Sequence, residues 1–361
     1  WAGWAASGTL ALARVVPHLR LDVPLPFLRR VGIIAVLVSL LANLGWVYGL
    51  LPNSGAALSV LAVLTPTELG MAMLLMPTLL GQPGRHDKRI FFGLLALHGA
   101  LALGVGQLIV VIRPLLVYLL GWLLVGRRLL LRPVLIGAAV VLIMQPVKAE
   151  FRARVWDRPT ELTLGERAQL YVELIGEHWL GETNPVDTGQ SLETAAARTA
   201  AALALANYVE LTPSAVPFQE GATYRYFRYA LIPRIVYPDK PSAQYADVWA
   251  AVVYGYTSYA GTAHVMVGLS QIGESYINFG FFGGLLALAV LGMFYRVLDE
   301  LLGHPRAGSG ALALHLYFTL SVMVASEGST AQCWGGMPQL LLFYCVLLYV
   351  LGRYAASRRS A

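Results

Sequence analysis

The sequence has few charged residues and almost no cysteine. Only 13% of its residues are Asp, Glu, Lys or Arg, whereas a soluble domain normally has about 25%. This deficit indicates that lipid is the solvent for much of the protein surface. Two cysteines, Cys333 and Cys345, are too few for a disulfide framework. The basic residues are dispersed, so the net charge of +6 does not indicate a nucleic-acid partner.

Several catalytic signatures are also missing from the sequence. It contains no P-loop pattern, which argues against an ATP-driven role, and no Gly-x-Ser-x-Gly element for acyl transfer. It has no HExxH motif and no Asp-x-Asp pair, and His178 and His264 are far apart in the sequence. We therefore expect no metal site and no cofactor. No cleavable signal peptide is recognisable.

Long apolar stretches make up most of the remaining sequence. A membrane span needs about 20 apolar residues, and this criterion predicts about nine spans in an all-α polytopic membrane protein. They cover 1–16, 31–51, 56–80, 90–126 (divided in two near 104–106), 133–147, 276–298, 311–326 and 338–352. The first residue is Trp1 rather than Met, so we expect this count to be a minimum.

One long polar segment, 148–273, interrupts the apolar sequence. It carries 10 of the 26 Lys and Arg and 13 of the 20 Asp and Glu residues. We therefore predict three parts: a six-span bundle over 1–147, a large loop over 148–273, and three spans over 274–361. The loop is expected to be mainly helical, because Thr163-x-x-Glu166 is a capping-box pattern and 191–210 is rich in alanine. The prolines that follow predict extended segments; they are Pro213, Pro217, Pro233, Pro238 and Pro241.

Positive charges between the spans predict the orientation of the chain. Five basic groups fall on one side of a nine-span arrangement. They are Arg20, Arg29 and Arg30; Arg85, Lys88 and Arg89; Arg127, Arg128 and Arg132; Arg296 and Arg306; and Arg353, Arg358 and Arg359. The turns 52–55 and 328–336 on the other side have no Lys or Arg. The large loop is therefore predicted to lie on the non-cytoplasmic face.

Arg113 is the most informative single residue, because it lies inside an apolar span. An ionisable residue within a span is costly and is a functional candidate by default. The alternative is that its side chain reaches the interface while its stem stays in lipid. Glu68, which follows Pro66 on another span, is a candidate partner for Arg113 or a residue of a helix break.

The large loop supplies many basic and aromatic side chains. Arg198 is the only charge in an alanine-rich helix, and Arg234 follows Pro233, which restricts its backbone. Arginine forks match phosphate oxygens in a bidentate way, so we predict a lipid-linked phosphate or pyrophosphate as ligand. Aromatic residues are dense over 224–259; they suit either an interfacial belt or stacking on sugars.

Glu274 and His264 are the two candidate general bases. Glu274 stands where the loop returns to the membrane, beside Tyr276. A carboxylate there suits deprotonation of a sugar hydroxyl. It equally suits the first turn of a helix, where an acid is favoured by the helix dipole.

Four segments, read in order, resemble bacterial oligosaccharide repeat-unit polymerases of the Wzy type, within the O-antigen polymerase and ligase group. The segments are VKAEFR (147–152), VELTPSAVPFQEGATY (209–224), LIPRIVYPDKP (231–241) and GESYINFGFFGG (273–284). Arg113 resembles the intramembrane arginine that these enzymes present to the outer face. The resemblance implies a GT-C-like architecture in a bacterial inner membrane, with the large loop in the periplasm.

The same resemblance implies a reaction and a set of binding residues. The enzyme would join oligosaccharide repeats carried on undecaprenyl pyrophosphate, without metal or nucleotide. Arginines would hold the pyrophosphate and stabilise its growing negative charge. The substrate-binding residues implied are Arg113, Lys148, Arg152, Arg198, Arg234, Lys240 and Tyr276. The lipid bilayer, a chain-length regulator and a flippase are the further partners expected.

Three other interpretations stay open at the level of sequence. A ligase of the same group would transfer finished glycan and would depend on a loop histidine, His178 or His264. A transporter of polyprenyl-linked glycan would be expected to show inverted repeats, and none is visible. A non-catalytic scaffold of an export complex would tolerate substitution of Arg113.

Overall fold

The structure of the protein is a computed structural model. It describes residues 16–47, 50, 63, 66–105, 108–125, 131–156, 162–180, 201–233, 236–263, 268–304 and 306–360. Within these residues the regular structure is helical and no strand is present. Three helical segments are long and apolar enough to cross a membrane: Leu25–Gly45, Gln271–Leu302 and Thr330–Arg358. The all-helical prediction is therefore confirmed for the described residues. Arg198, Arg234, His264 and almost all of the predicted first span lie outside them.

Fourteen α-helices are numbered here in chain order within the described residues. They are α1 Leu25–Val47, α2 Thr67–Leu79, α3 Asp87–Val105, α4 Leu108–Leu124, α5 Leu131–Met144, α6 Lys148–Trp156, α7 Leu164–Leu180, α8 Ala201–Leu211, α9 Arg225–Ala230, α10 Tyr245–Val253, α11 Gln271–Leu302, α12 Ser309–Ala325, α13 Thr330–Trp334 and α14 Met337–Ser360. The predicted division of 90–126 is confirmed, because the rings of Phe91 in α3 and Tyr118 in α4 have centroids 5.6 Å apart, which one continuous helix could not bring together. Glycine at 104 and 106 weakens a helix there.

The chain forms two compact units. The N-terminal unit is Pro24–Ala197, and the C-terminal unit combines Trp1–Val23 with Arg198–Ala361. The polar segment 148–273 is thus divided between them. Its first part belongs with α1 to α7, and the rest belongs with the C-terminal helices.

Close packing of α1 on α2 organises the N-terminal unit. A Cβ atom added at Gly32 would lie 2.7 Å from the Gly70 carbonyl oxygen, so the two backbones approach too closely for larger residues. The Ser39 and Thr67 hydroxyls form a hydrogen bond across the same contact. Small residues and polar bonds of this kind join helices in apolar surroundings. All of α2 is buried except Glu68.

A capping box begins α7, as the sequence predicts. Thr163 N donates to Glu166 Oε2 at 2.7 Å, and Glu166 N donates to Thr163 Oγ1 at 3.3 Å. Each residue therefore satisfies a backbone donor of the first helical turn. Farther along α7, Tyr171 packs into a buried cluster with Phe151, and its hydroxyl donates to Met144 O at 3.3 Å. These contacts join α7 to α5 and α6.

A break within α11 shapes the C-terminal unit. Gly280 has φ 66° and ψ −164°, a conformation outside the helical region that only glycine adopts without strain. Helical bonding is interrupted there, and two carbonyls find partners elsewhere. Gln219 N donates to Ile277 O at 2.9 Å, and Glu220 N donates to Asn278 O at 3.2 Å. The segment 217–224 is thereby fixed against α11.

The expectation of extended segments after the loop prolines is wrong for two stretches. Residues 225–230 form α9 and residues 245–253 form α10. Pro217 and Pro241 precede these helices, and Pro233 and Pro238 lie between them. Proline stops a helix but leaves the sequence between two prolines free to form one. Short helices rather than strands therefore surround the candidate site.

Candidate functional site

A fully buried carboxylate lies at the start of α11. Glu274 is 0% exposed and occupies the first helical turn, where Ser270 Oγ accepts a hydrogen bond from Gly273 N at 3.1 Å. Thr223 Oγ1 donates to Glu274 Oε1 at 2.8 Å, and Thr330 N donates to Oε2 at 2.6 Å. Both carboxylate oxygens therefore accept hydrogen bonds. Thr223 and Thr330 come from segments far away in the sequence.

Asn278 completes this network one turn farther along α11. Its Nδ2 donates to Thr223 Oγ1 and to Glu274 O, both at 2.7 Å. Its Oδ1 accepts from Gly221 N at 2.9 Å. The Thr223 hydroxyl thus donates to one side chain of α11 and accepts from another. This arrangement fixes the position of the segment that leads into α9.

A second buried carboxylate binds the start of α13, the short helix to which Thr330 belongs. Asp247 is 0% exposed, and its Oδ1 accepts from Leu269 N and Ser329 N, both at 2.9 Å. Its Oδ2 accepts from Ser329 Oγ at 2.6 Å. Burial raises the pKa of Asp247, and the hydrogen bonds from Ser329 and Leu269 oppose that shift. Consecutive residues at the start of α13, Ser329 and Thr330, therefore each bind one carboxylate.

A pocket of about 350 Å³ opens beside this network and is named here the tyrosine–arginine pocket. Its lining residues come from the segments 219–229 and 241–249: Gln219, Ala222, Thr223, Arg225, Tyr226, Arg228, Tyr229, Pro241, Tyr245, Ala246 and Trp249. Thr223 belongs both to the pocket wall and to the Glu274 network. The hydrogen bond from Thr223 to Glu274 therefore helps to hold the pocket wall in place.

Aromatic rings give the pocket flat apolar faces. Tyr226 and Tyr245 stack with ring centroids 4.3 Å apart and an interplanar angle of 23°. The Arg228 guanidinium lies 4.7 Å from the Tyr229 ring centroid, and its Nη2 donates to Tyr229 OH at 2.7 Å. Burial, together with hydrogen bonding to Tyr245, raises the pKa of Tyr226. The phenol of Tyr226 therefore stays protonated at neutral pH.

The charge of the pocket is positive. Arg225 and Arg228 line it, and no Asp or Glu is among the described residues of its lining. Within the described part of the chain, no acidic side chain forms an ion pair with either arginine. Planar guanidinium groups bind carboxylates and phosphates through paired N–H bonds. Arginines beside stacked rings therefore suit an anionic ligand with flat faces.

Glu274, Tyr276 and Lys240 are the predicted site residues that the structure describes in the C-terminal unit. Tyr276 OH donates to Thr212 O at 3.3 Å, so this side chain connects α11 to the end of α8. Lys240 Nζ donates to Ile232 O, and to Ala230 O at 3.4 Å. Its ammonium thus lies at the end of α9, next to the segment that carries the pocket arginines.

Arg113, Lys148 and Arg152 lie in the N-terminal unit. Arg113 Nη1 is 3.6 Å from Glu68 Oε1, so the structure shows the pairing that the sequence left as one of two interpretations. Arg113 Nε is buried and finds no hydrogen-bond partner within the described residues. Lys148 and Arg152 belong to α6, which packs on α7 around Phe151. These three residues and the tyrosine–arginine pocket thus belong to different units.

The pocket residues themselves are not among the site residues predicted from the sequence. Arg225 and Arg228 were two of many loop bases, and Tyr226, Tyr245 and Trp249 were part of a dense aromatic run. One signal was available in the sequence RYFRY: arginines three residues apart share a face if the segment is helical. Because extended structure was expected there, the three-residue spacing of Arg225 and Arg228 did not indicate a shared face. The partner segment 241–249 has no sequence signal that links it to α9.

The described residues contain no group of three or more His, Cys, Asp or Glu side chains arranged to hold a metal ion. No curated protein and no solved structure matches the chain. One family model does match it, over residues 108–304, which include the pocket, Asp247, Glu274 and all of α11. This match spans more than half of the 361 residues, and the chain belongs to that family, described as a domain of unknown function (DUF8712).

Proposed function

We propose that the protein polymerises oligosaccharide repeat units carried on undecaprenyl pyrophosphate. The reaction takes place at the periplasmic face of a bacterial inner membrane, in a nine-span, GT-C-like architecture. The single observation that carries the proposal is the tyrosine–arginine pocket, since it combines stacking faces with unneutralised guanidinium groups. Aromatic faces suit sugar rings, and arginines suit the charged groups of such a substrate.

Membrane helices support a lipid-linked rather than a soluble substrate. Two of the three segments that are long enough to cross a membrane belong to the C-terminal unit, which also contains the pocket. Glu274 and Asn278, whose side chains fix Thr223 in the pocket wall, lie at the start of one of them. A polyprenyl chain in the bilayer would bring its attached glycan to such a position.

The chemistry is a transfer of the growing glycan from pyrophosphate to a hydroxyl. The acceptor oxygen forms a bond to the anomeric carbon, and the bond from that carbon to the pyrophosphate oxygen breaks. The pyrophosphate leaves with the electron pair, and the acceptor proton passes to a base. Fixed guanidinium groups stabilise the charge that develops on the leaving group. Arg113, Arg152, Arg198 and Arg234 remain the predicted pyrophosphate ligands, with Lys148.

Glu274 has a defined part in this scheme. Its oxygens bind Thr223 and the α13 backbone, so it positions the pocket wall. A role for Glu274 or His264 as the base stays a prediction. Substitution by Gln separates the two roles, because Gln retains one acceptor and a similar shape but cannot take a proton at neutral pH.

The test is polymerisation by the purified protein in detergent, without added metal or nucleotide. The substrate is a polyprenyl-pyrophosphate-linked repeat unit, and products are separated by gel electrophoresis. We expect a ladder that is lost with Arg113→Ala and Arg234→Ala and weakened with Arg228→Ala. Arg154→Ala is the matched control, because Arg154 is exposed and pairs with Glu150 within α6. Folded protein that gives no ladder from an authentic repeat unit would contradict the proposal and favour a ligase or a transporter.

A further inference from the structure

The charge balance of the tyrosine–arginine pocket restricts its ligand. Arg225 and Arg228 supply two positive charges, and none of the lining residues that the structure describes is acidic. Both arginine side chains are exposed to solvent. A neutral sugar would offer them only neutral acceptors, whereas an anionic group accepts charge-assisted hydrogen bonds, which are roughly twice as strong. The ligand that fits the pocket therefore carries negative charge.

The rings of the pocket show what else the ligand must contain. Tyr226 and Tyr245 form one stacked platform, and Tyr229 and Trp249 add two more aromatic side chains to the lining. Inorganic phosphate or pyrophosphate has no apolar face and would leave these rings unused. A pyranose presents C–H faces to aromatic rings and hydroxyls to groups such as Gln219. The ligand is thus a sugar with an anionic group, rather than a bare phosphate.

The geometry of Arg228 favours a carboxylate as the anionic group. Its guanidinium lies against the Tyr229 ring, and Nη2 donates to the phenol oxygen, so these two contacts restrict its orientation. Other N–H groups of a guanidinium held in this way are free to bind a planar acceptor. A carboxylate accepts two parallel N–H bonds from one guanidinium. A side chain that is already ordered before binding also loses less conformational entropy on binding than a mobile one.

We propose that this pocket binds an acidic sugar residue of the repeat unit, such as a hexuronic acid. This inference rests on the proposed function, because it names the class of glycan that the enzyme accepts. The volume of about 350 Å³ is at the lower end of the range of about 300–1,000 Å³ for ligand pockets. Such a pocket accommodates one or two sugar residues rather than a whole repeat.

Binding of defined disaccharides to the purified full chain tests the proposal. The probes are a disaccharide that contains glucuronate, its neutral counterpart that contains glucose, and inorganic pyrophosphate, each measured by isothermal titration calorimetry. We expect the glucuronate probe to bind at least about tenfold more tightly than the neutral one, since charge-assisted hydrogen bonds exceed neutral ones. Raising the salt concentration should reduce this preference, because the arginines are exposed.

Variants distinguish binding through the pocket arginines from an effect of the net charge of the protein. Arg228→Gln should remove most of the preference for glucuronate, and Arg228→Lys should restore only part of it, since lysine lacks the planar fork. Arg154→Gln changes the net charge equally and should leave the preference unchanged. Circular dichroism of each variant establishes that it is folded. Arg225→Gln provides a second test at the same pocket.

Three results would overturn the inference. The first is equal affinity for the two disaccharides, and the second is a preference that survives Arg228→Gln in folded protein. The third is Arg228-dependent binding of pyrophosphate without binding of glucuronate, which would assign the pocket to the carrier end of the substrate and leave the proposed function standing. Conversely, Arg228-dependent binding of glucuronate by a protein that forms no ladder would support this site and reject the polymerase.

Discussion

In two regions of the molecule a glutamate accepts hydrogen bonds from a threonine hydroxyl and from a threonine backbone N–H. One of these glutamates is exposed and the other is buried. At the start of α7, Thr163 Oγ1 donates to Glu166 Oε2 at 2.8 Å, and Thr163 N donates to the same oxygen. At the start of α11, Thr223 Oγ1 donates to Glu274 Oε1 at 2.8 Å, and Thr330 N donates to Oε2. The first unit is exposed and formed by neighbours in sequence. The second is buried and joins three distant segments.

The difference shows where a carboxylate matters for the fold. An exposed carboxylate has water as an alternative partner, so its hydrogen bonds add little to stability. A buried carboxylate has lost its water, and removal of its side chain leaves donors without partners. Burial of Glu274 therefore makes the arrangement of α9, α11 and α13 depend on one side chain. Glu166 affects only the first turn of its own helix.

The largest expected effect is the difference in unfolding free energy between removing the Glu274 carboxylate and removing the Glu166 carboxylate. Glu274→Ala is expected to lower the free energy of unfolding by about 3–5 kcal/mol, because two buried donors each lose a partner. Glu166→Ala should change it far less. Glu274→Gln should fall between them, since it retains an acceptor for Thr330 N. Denaturant unfolding in detergent micelles, followed by circular dichroism, measures all three variants.

One outcome would contradict this account directly. Equal stabilities of Glu274→Ala and Glu166→Ala would show that burial does not determine how much a carboxylate contributes to the free energy of unfolding. Glu327→Ala serves as a further control, because Glu327 is an exposed acid next to the same short helix. It should resemble Glu166→Ala.

The break at Gly280 should matter next, since it brings segment 217–224 to Glu274. Gly280→Ala is expected to destabilise the fold by about 1–3 kcal/mol, the usual cost of this backbone conformation for other residues. The new Cβ would also lie 3.2 Å from Phe218 Cζ. Gly93→Ala is the matched control: Gly93 lies within α3, and nothing lies within 4 Å of its added Cβ. That change should stabilise by about 0.5–1 kcal/mol.

The same unfolding assay decides this pair. A neutral or stabilising Gly280→Ala would mean that α11 continues through the break and that segment 217–224 is not fixed by it. Binding of the glucuronate probe provides an independent measure. It should weaken in Gly280→Ala and not in Gly93→Ala, because Thr223 belongs to the pocket wall.

Asp247 should make stability depend on pH. Burial raises its pKa in the folded state above the unfolded value. The folded state therefore binds the proton more tightly, and this contribution to stability is fully present below the unfolded pKa. It is lost as the pH rises through the raised folded pKa. Asp247→Asn removes the titration and should flatten this part of the profile.

Unfolding free energies of the two proteins between about pH 3 and pH 8, a range around the ordinary Asp pKa, provide the measurement. The stability of the parent protein relative to Asp247→Asn should fall as the pH rises. A difference that grows with pH would mean that the hydrogen bonds from Ser329 and Leu269 outweigh burial. The sign of the slope therefore decides between the two causes.

Local patterns in the sequence predicted local structure well. The capping box at Thr163, the helix boundary near 104–106 and the all-helical character follow from spacing and composition. Glycine, apolar periodicity and a Thr-x-x-Glu pattern act within one or two turns of helix. The pairing of Arg113 with Glu68 was one of two interpretations that the sequence left open, and the structure decides between them.

Contacts between distant segments were not accessible. Glu274 is 51 residues from Thr223 and 56 from Thr330, and nothing in a single sequence marks those pairs. The close approach of Gly32 and Gly70 is equally invisible without the path of the chain. The pocket was missed for the same reason, since α9 and α10 form its walls and the contacts of Asp247 and Glu274 that hold the surrounding segments join distant parts of the chain.

The smallest predicted effect concerns the exposed unit. The Thr163 N–H is the main cause that lowers the pKa of Glu166, and the Thr163 hydroxyl is the second. Thr163→Ala removes only the hydroxyl, so the pKa of Glu166 should rise part of the way towards its ordinary value. Carbon-13 NMR titration of the carboxyl group measures this, with the resonance assigned by its loss in Glu166→Gln. Gln169→Ala is the control, because Gln169 contacts Glu173 on the same helix. A full return of the pKa to its ordinary value would mean that the backbone bond depends on the hydroxyl, and that even a capping box of neighbouring residues acts as a single unit.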